Sequence, residues 1–299
     1  MSALVGAVGS WWFPQISNAR VAVFRTVAYL FIFVDVFLTT SWVSNHAAIP
    51  TELYQPLFIG RVLNLPEPTA TFVIATKILL LESAAAAAFG FKQRITGALV
   101  AVLYLEWMVI AMSYGKVDHD RFAFLVALFV LPTVPEARWG DKTRSEAAGW
   151  ALRMIQIGVI ATYFLAAFAK LRFGGIEWLN GATLVRAVMR RGTYLVDPLT
   201  LENPWILHAA QWFLVAFELA TPLMLTQRFR SAFVKAAFAF HLVTYASITI
   251  IFLPHVVCLL SFLELERLGP KLQGWRNARG EARGSPMART PTMYQVVND

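Results

Sequence analysis

The sequence predicts an all-α integral membrane protein, a polytopic bundle of about eight membrane-embedded helices, some of them short or broken. Of its 299 residues, 58% are hydrophobic and only 15% are charged, against about 25% charged in an average soluble domain. Apolar runs of about twenty residues recur along the chain, which is the length that a helix needs to cross a bilayer. These features exclude a water-soluble globule, a disordered chain and a disulfide-rich scaffold. The single cysteine, Cys258, has no partner in the chain for a disulfide.

The apolar runs predict eight helices, at 21–44, 70–91, 95–114, 121–134, 149–171, 205–226, 230–253 and 255–267. The fourth and eighth are too short to span a bilayer comfortably, so we expect tilted, broken or re-entrant pieces. Pro132 and Pro254 stand where those pieces end or begin. This gives an N-terminal interfacial segment at 1–20, one transmembrane domain at 21–268, and a basic, disordered cytoplasmic tail at 269–299.

The basic residues predict the orientation in the cell membrane. Fourteen of them fall at one set of helix ends, namely Arg20, Lys92, Arg94, Arg138, Lys142, Arg144, Arg228, Arg230, Arg267, Lys271, Arg276, Arg279, Arg283 and Arg289. Seven fall at the other, namely Arg61, Lys116, Arg121, Arg172, Arg186, Arg190 and Arg191. Because cytoplasmic loops carry the excess of Lys and Arg, both termini are predicted to be cytoplasmic. The net charge of +8 is thereby assigned to topology and contact with membrane lipids, without a nucleic-acid partner.

Two long connections, 45–69 and 172–204, face outward in this topology and could bind a partner protein. Within the second, Leu184 and Val188 share one helical face while Arg186 and Arg190 share another. This pattern is typical of an amphipathic helix lying at the membrane interface.

Nine ionisable residues interrupt the apolar runs: Arg25, Asp35, Lys77, Glu82, Glu106, Arg153, Lys170, Glu218 and Lys235. Buried charge in a membrane is costly, so these residues form either structural ion pairs or a shared polar cavity. Polar stripes favour the cavity, because residues seven apart return to nearly the same helix face. The stripes are Gln156, Tyr163 and Lys170; then His208, Gln211 and Glu218; then His241 and Tyr245.

A metal site is not predicted. The types of residue at Asp118, His119, Asp120 and His241 could bind zinc. An N-cap role for Asp118 or Asp120 at the entrance of the following helix is the favoured interpretation. The chain also has no glycine-rich phosphate-binding motif and no serine-hydrolase motif.

Four segments go beyond composition: VAVFRTVAYLFIFVDVF at 21–37, YGKVDHDRFAFLVALFVLP at 114–132, ATYFLAAFAKLRFGGIEWLNG at 161–181 and FHLVTYASITIIFLP at 240–254. In that order they resemble the transmembrane part of vitamin K-dependent gamma-carboxylase, whose bacterial relatives form the HTTM (horizontally transferred transmembrane) family. The resemblance covers about residues 18–266. Its most specific part is the third segment, an aromatic-rich helix ending in Lys-Leu and followed by a Trp-containing turn that ends in Gly.

The resemblance implies that Lys170 is the base that deprotonates a hydroquinone, with His119 near the same active site. It aligns His241 with a Phe-His pair, and Arg25 and Asp35 with a charged pair of structural character. Asp118 replaces the asparagine usual in the family, which leaves its hydrogen-bonding role open. We therefore predict Lys170 and His119 as catalytic. The predicted ligand-binding residues are His241, Asp118, Tyr163, Trp178 and Glu218, and the expected cofactor is a quinone or hydroquinone of the vitamin K or menaquinone type.

One departure limits the transfer of function. Only about 30 polar residues follow the last helix, which is too few for the large extramembrane domain that grips the carboxylase's protein substrate. The first hypothesis is therefore an intramembrane pocket for a quinol or isoprenoid lipid, with lysine-based proton abstraction if the protein is an enzyme at all. The alternatives are a non-catalytic membrane subunit or scaffold for a partner enzyme, and a transporter of small solutes or lipids.

Overall fold

The computed structural model describes residues 2–268, so the predicted tail at 269–299 lies outside the described residues. Within them, six helices are long and apolar enough to cross a membrane: Asn18–Thr39, Ala70–Ala88, Gln93–Met112, Glu146–Gly174, Pro204–Leu225 and Gln227–Ile248. The protein is thus an all-α polytopic membrane bundle.

The helices are α1 Ser2–Trp12, α2 Asn18–Val34, α3 Phe58–Val62, α4 Ala70–Ala88, α5 Gln93–Met112, α6 Phe122–Val130, α7 Glu146–Gly174, α8 Ala182–Arg191, α9 Asp197–Glu202, α10 Pro204–Ala220, α11 Gln227–Ile248 and α12 Leu253–Leu259. A π-helical turn, Asp35–Thr39, extends α2, and 3-10 turns at His119–Arg121 and Leu131–Thr133 flank α6. Strands β1, Ile16–Ser17, and β2, Arg144–Ser145, pair antiparallel.

Small residues set how closely the central helices approach, as is usual where helices pack in a membrane. A Cβ added at Gly158 of α7 would lie 3.3 Å from the backbone of Ala123 on α6, and one at Gly97 of α5 would clash with Tyr29 Oη of α2. The core of α2, α4, α5, α6 and α7 is filled by large buried side chains such as Trp107. This close packing holds α5, α6 and α7 around the site described below.

Two long-range contacts constrain the topology. Ile16 pairs with Ser145, and Arg20 forms an ion pair of 2.5 Å with Glu266. The start of α2, the start of α7 and the chain after α12 therefore lie on one side of the membrane. Three long spans lie between Ile16 and Ser145, and three more lie between Ser145 and Glu266. Because an odd number of crossings would put the partners on opposite sides, we infer that α6 and α12 complete the crossings.

This topology predicts the accessibility of two surface positions. Lys142 and Tyr194 are both exposed, but they belong to opposite sides of the bundle. In a background in which buried Cys258 is alanine, Tyr194→Cys should react with an impermeant thiol reagent added to intact cells. Lys142→Cys should react only after permeabilisation. The opposite pattern would invert the orientation, and equal labelling of both would contradict the crossings assigned to α6 and α12.

The seventh predicted helix is too long. α11 ends at Ile248, where Thr249 adopts a left-handed conformation with φ 55°, and residues 249–252 are not helical before α12 begins. The β-branched residues Thr249, Ile250 and Ile251 disfavour helix, and Pro254 fits the first turn of a new helix because its missing N–H needs no partner there. The break turns the chain so that α12 packs against α6 and α7.

The predicted pairing of charges is only partly right. Arg25 does not pair with Asp35; it donates to Gln93 and to the carbonyls of Leu131, Val134 and Pro135. Asp35 instead pairs with Arg121 at 2.6 Å. The sequence had placed Arg121 among the loop charges. Of the nine charges in the apolar runs, only Lys170 and Glu218 pair with each other among the described residues. Helix spacing fixes the face on which a charge lies, but not the helix that will meet it.

Candidate active site

Three polar side chains of α7 point to different neighbours at intervals of seven residues. Gln156, Tyr163 and Lys170 bond, in that order, to the carbonyl of Ser261 at 3.0 Å, to Nε2 of His241 at 2.6 Å, and to the carboxylate of Glu218. The polar stripe read from the sequence is thus a set of interhelical bonds to the chain after α12, to α11 and to α10. These bonds hold α7 at the centre of the polar part of the bundle.

Lys170 is held in place from two sides. Its Nζ donates to both carboxylate oxygens of Glu218, at 2.6 and 2.5 Å, and lies 5.3 Å from the ring centroid of Trp178. The side chain of Glu218 is only 6% exposed and that of Lys170 23%. The amine is therefore directed toward Glu218 and Trp178, and Lys170 is also one of the residues that line a cavity.

That cavity has a volume of about 660 Å³ and lies between α5, α6 and α7, bordered by residues 57–59 and 117–119. Its lining is mostly apolar, with side chains such as Leu105, Met108, Val109, Phe122, Leu125 and Leu165. The polar residues that line it are Asp118, His119, Arg121, Thr162 and Lys170. An apolar chamber with a few convergent polar groups is the usual form of a small-molecule site.

His119 and Asp118 reach the cavity from the turn before α6. Burial among protein atoms lowers the pKa of His119, the positive charge of Lys170 lowers that pKa further, and Asp118 opposes both. Since an ordinary histidine already titrates near pH 6.5, His119 is neutral at pH 7 and can both donate and accept a hydrogen bond. Asp118 makes no capping hydrogen bond and pairs instead with Lys116 at 2.9 Å.

The sequence matches the model of a known protein family. The family model described as "HTTM domain" matches residues 13–266, which is most of the chain. The chain belongs to the HTTM family. No curated protein and no solved structure matches the sequence.

In this HTTM protein the predicted site residues fall into three groups. Lys170, His119 and Asp118 line one cavity. Glu218 and Trp178 contact the Lys170 amine without lining that cavity. Tyr163 and His241 bond to each other behind the cavity wall, where Tyr163 follows the lining residue Thr162.

Sequence reasoning did not single out several residues in and around this cavity. Arg121 lines the cavity although it was counted as a loop charge, and Thr162 lines it without having been singled out. His255 lies against Tyr163, with ring centroids 4.5 Å apart. Its signal was its position beside Pro254 at the start of an apolar run. Gln211 holds Trp178 in place by donating to its carbonyl, whereas His208 accepts from Trp212.

The residues considered for a metal do not form one group. Within residues 2–268, no cluster of three or more His, Cys, Asp and Glu side chains has an arrangement that could hold a metal ion. Asp118 and His119 line the cavity, but His241 does not.

Proposed function

We propose that this HTTM protein binds a lipophilic molecule with a polar, proton-bearing end, a quinol or a similar isoprenoid lipid, in the cavity beside Lys170. The observation that carries the proposal is the apolar cavity of about 660 Å³ that Lys170 and His119 both line. That volume lies within the range of about 300–1,000 Å³ usual for small-molecule sites. An apolar ring and tail would pack against α5, α6 and α7.

The polar residues that line the cavity would contribute differently to binding such a molecule. Neutral His119 can donate to or accept from a hydroxyl or carbonyl oxygen, because each ring nitrogen takes one of those roles. Arg121 pairs with Asp35 through Nη1, which holds its side chain in the wall of the cavity. Lys170 Nζ, with three N–H donors and two of them directed to Glu218, retains one position for the ligand.

The Lys170–Glu218 pair explains how a lysine could act as a base here. When bound, a quinol supplies an acidic phenolic hydroxyl. A protonated amine cannot accept that proton, so Nζ must first give up one of its own. Glu218 lies at 2.5–2.6 Å and can take it, converting ammonium and carboxylate into amine and carboxylic acid with no change in net charge. A poorly solvated site disfavours separated charges and so favours this transfer.

A cavity-filling substitution tests the proposal. Ala166 lines the cavity on α7, and Ala166→Leu should lower the affinity for a menaquinone analogue roughly tenfold or more, because the added carbons occupy ligand space. Ala239→Leu adds the same atoms to an exposed position on α11 and should leave the affinity unchanged. Binding is measured on purified protein in nanodiscs.

Native mass spectrometry of the wild-type protein gives the complementary result. A stoichiometric quinone or prenyl lipid, lost on Ala166→Leu and retained on Ala239→Leu, is expected. If neither endogenous lipid nor added quinone binds, the pocket proposal fails. A scaffold that binds a partner enzyme through 45–69 or 172–204 would then be favoured, unless proteoliposomes show solute or lipid flux.

A further inference from the structure

His255, on α12, is a buried polar residue whose ring nitrogens lack hydrogen-bond partners among the described residues. It is 1% exposed, and within residues 2–268 neither of its ring nitrogens has a hydrogen-bond partner. The same holds for Nδ1 of His241. Leaving a buried donor or acceptor unpaired costs about 1–3 kcal/mol. Three such nitrogens on two adjacent rings therefore point to a group that bonds to both.

The rings of the two histidines are neighbours. Their ring centroids are 5.4 Å apart, and Tyr163 Oη bonds to Nε2 of His241 at 2.6 Å, which leaves Nδ1 as the free nitrogen. A water-sized molecule that forms two hydrogen bonds of about 2.9 Å each can join nitrogens of two neighbouring rings. Phe240 and Phe252 pack on the ring of His241, and Tyr163 packs against the ring of His255.

We propose that one buried water molecule bridges Nδ1 of His241 to a ring nitrogen of His255. Water fits because a buried water needs at least two polar partners, and these rings supply them. A metal ion fits poorly, because Tyr163 occupies Nε2 of His241 and only two nitrogen donors from different residues remain. Zinc sites in proteins use at least three protein ligands.

The water completes a hydrogen-bonded chain of Tyr163, His241, water and His255, which crosses the bundle from α7 to α12. Imidazole can accept a proton on one nitrogen while it releases another from the second, so the chain can pass a proton between these helices. One end, Tyr163, adjoins the cavity residue Thr162. The other lies on α12, which packs against the His119–Arg121 turn. A role in moving protons from the cavity rests on the proposed function, whereas the bridging water does not.

Thermal unfolding separates a bridged histidine from one that is merely buried. If water bridges the rings, His255→Leu strands Nδ1 of His241 and should lower the Tm by about 3 °C or more, and His255→Gln should recover part of that loss. If His255 has no partner, His255→Leu should leave the Tm unchanged or raise it, because an unpaired polar group has been removed. Cys258→Val, one turn along α12, serves as the packing control.

A double-mutant cycle and a measurement on the unaltered protein complete the test. His241→Leu and His255→Leu should be non-additive, since the second change removes a bond already lost; additive effects would overturn the bridge. In wild-type protein labelled with ¹⁵N-histidine, solid-state NMR should show a water cross-peak to His241 or His255, and its absence from both would overturn it as well. Neither readout uses a quinone, so failure of the bridge is distinguishable from failure of ligand binding in the cavity.

Discussion

Replacing Arg121 by leucine is expected to lower the free energy of unfolding by about 3–5 kcal/mol, the usual cost of stranding a buried charge. Its Nη1 donates to Oδ1 and Oδ2 of Asp35 at 2.6 and 2.8 Å, and the Asp35 side chain is 0% exposed. Tyr104 Oη also donates to this carboxylate, at 3.0 Å. These bonds tie the π-helical turn after α2 to α5 and to the entrance of α6, so their loss acts on three segments at once.

The stranded carboxylate, and not the lost guanidinium, is the expected cause. The double variant Arg121→Leu/Asp35→Leu should therefore be more stable than Arg121→Leu alone. Arg267→Leu removes a cation from a pair whose side chains are 76% and 50% exposed, and should change stability by less than about 1 kcal/mol. Unfolding is followed by intrinsic fluorescence of the purified protein. Equal stability of Arg121→Leu and wild type would refute the account.

Arg121 also shows where sequence reasoning reached its limit. Apolar length gave the membrane helices and their approximate order, because crossing a bilayer demands a fixed number of apolar residues. The same logic assigned a charge next to an apolar run to solvent. In the structure that charge turns inward, because Asp35 from α2 lies opposite it. Which helix faces which depends on rotation and close approach, and residues such as Gly97 and Gly158 set these only in the folded bundle.

In the candidate site, too, the sequence predicted the positions of residues within one helix but not their contacts with other helices. The seven-residue spacing of Gln156, Tyr163 and Lys170 placed them on one side of α7, since spacing within a helix is local information. The carboxylate that meets Lys170 was known only as a separate stripe on α10. The orphaned nitrogens of His255 had no counterpart in any sequence pattern. A cavity that Lys170 and His119 both line likewise exists only once three helices have packed.

Lys170→Arg is expected to keep the fold and the bound ligand while lowering base catalysis by about 10²–10⁴-fold, the usual contribution of a general base. Arginine pairs with a carboxylate bidentately, so Glu218 keeps a partner. Its guanidinium does not lose a proton in proteins, so it cannot serve as a base. The measurement is the rate at which bound menaquinol analogue is consumed by oxygen, a reaction that accelerates when the hydroxyl is deprotonated.

Glu218→Gln tests whether the carboxylate accepts the proton that Lys170 releases. The amide can still accept a hydrogen bond from Lys170 Nζ, but it cannot take the proton that the amine must release. Its rate should therefore fall with that of Lys170→Arg, although analogue binding persists in both. Lys170→Met should lose the rate enhancement. It should also lose some stability, because it leaves the 6% exposed carboxylate of Glu218 without a cation. The double variant Lys170→Met/Glu218→Gln should regain stability but not the rate enhancement. If Lys170→Arg keeps the wild-type rate, Lys170 is not the base, and the ion pair is a structural link between α7 and α10 beside a binding cavity.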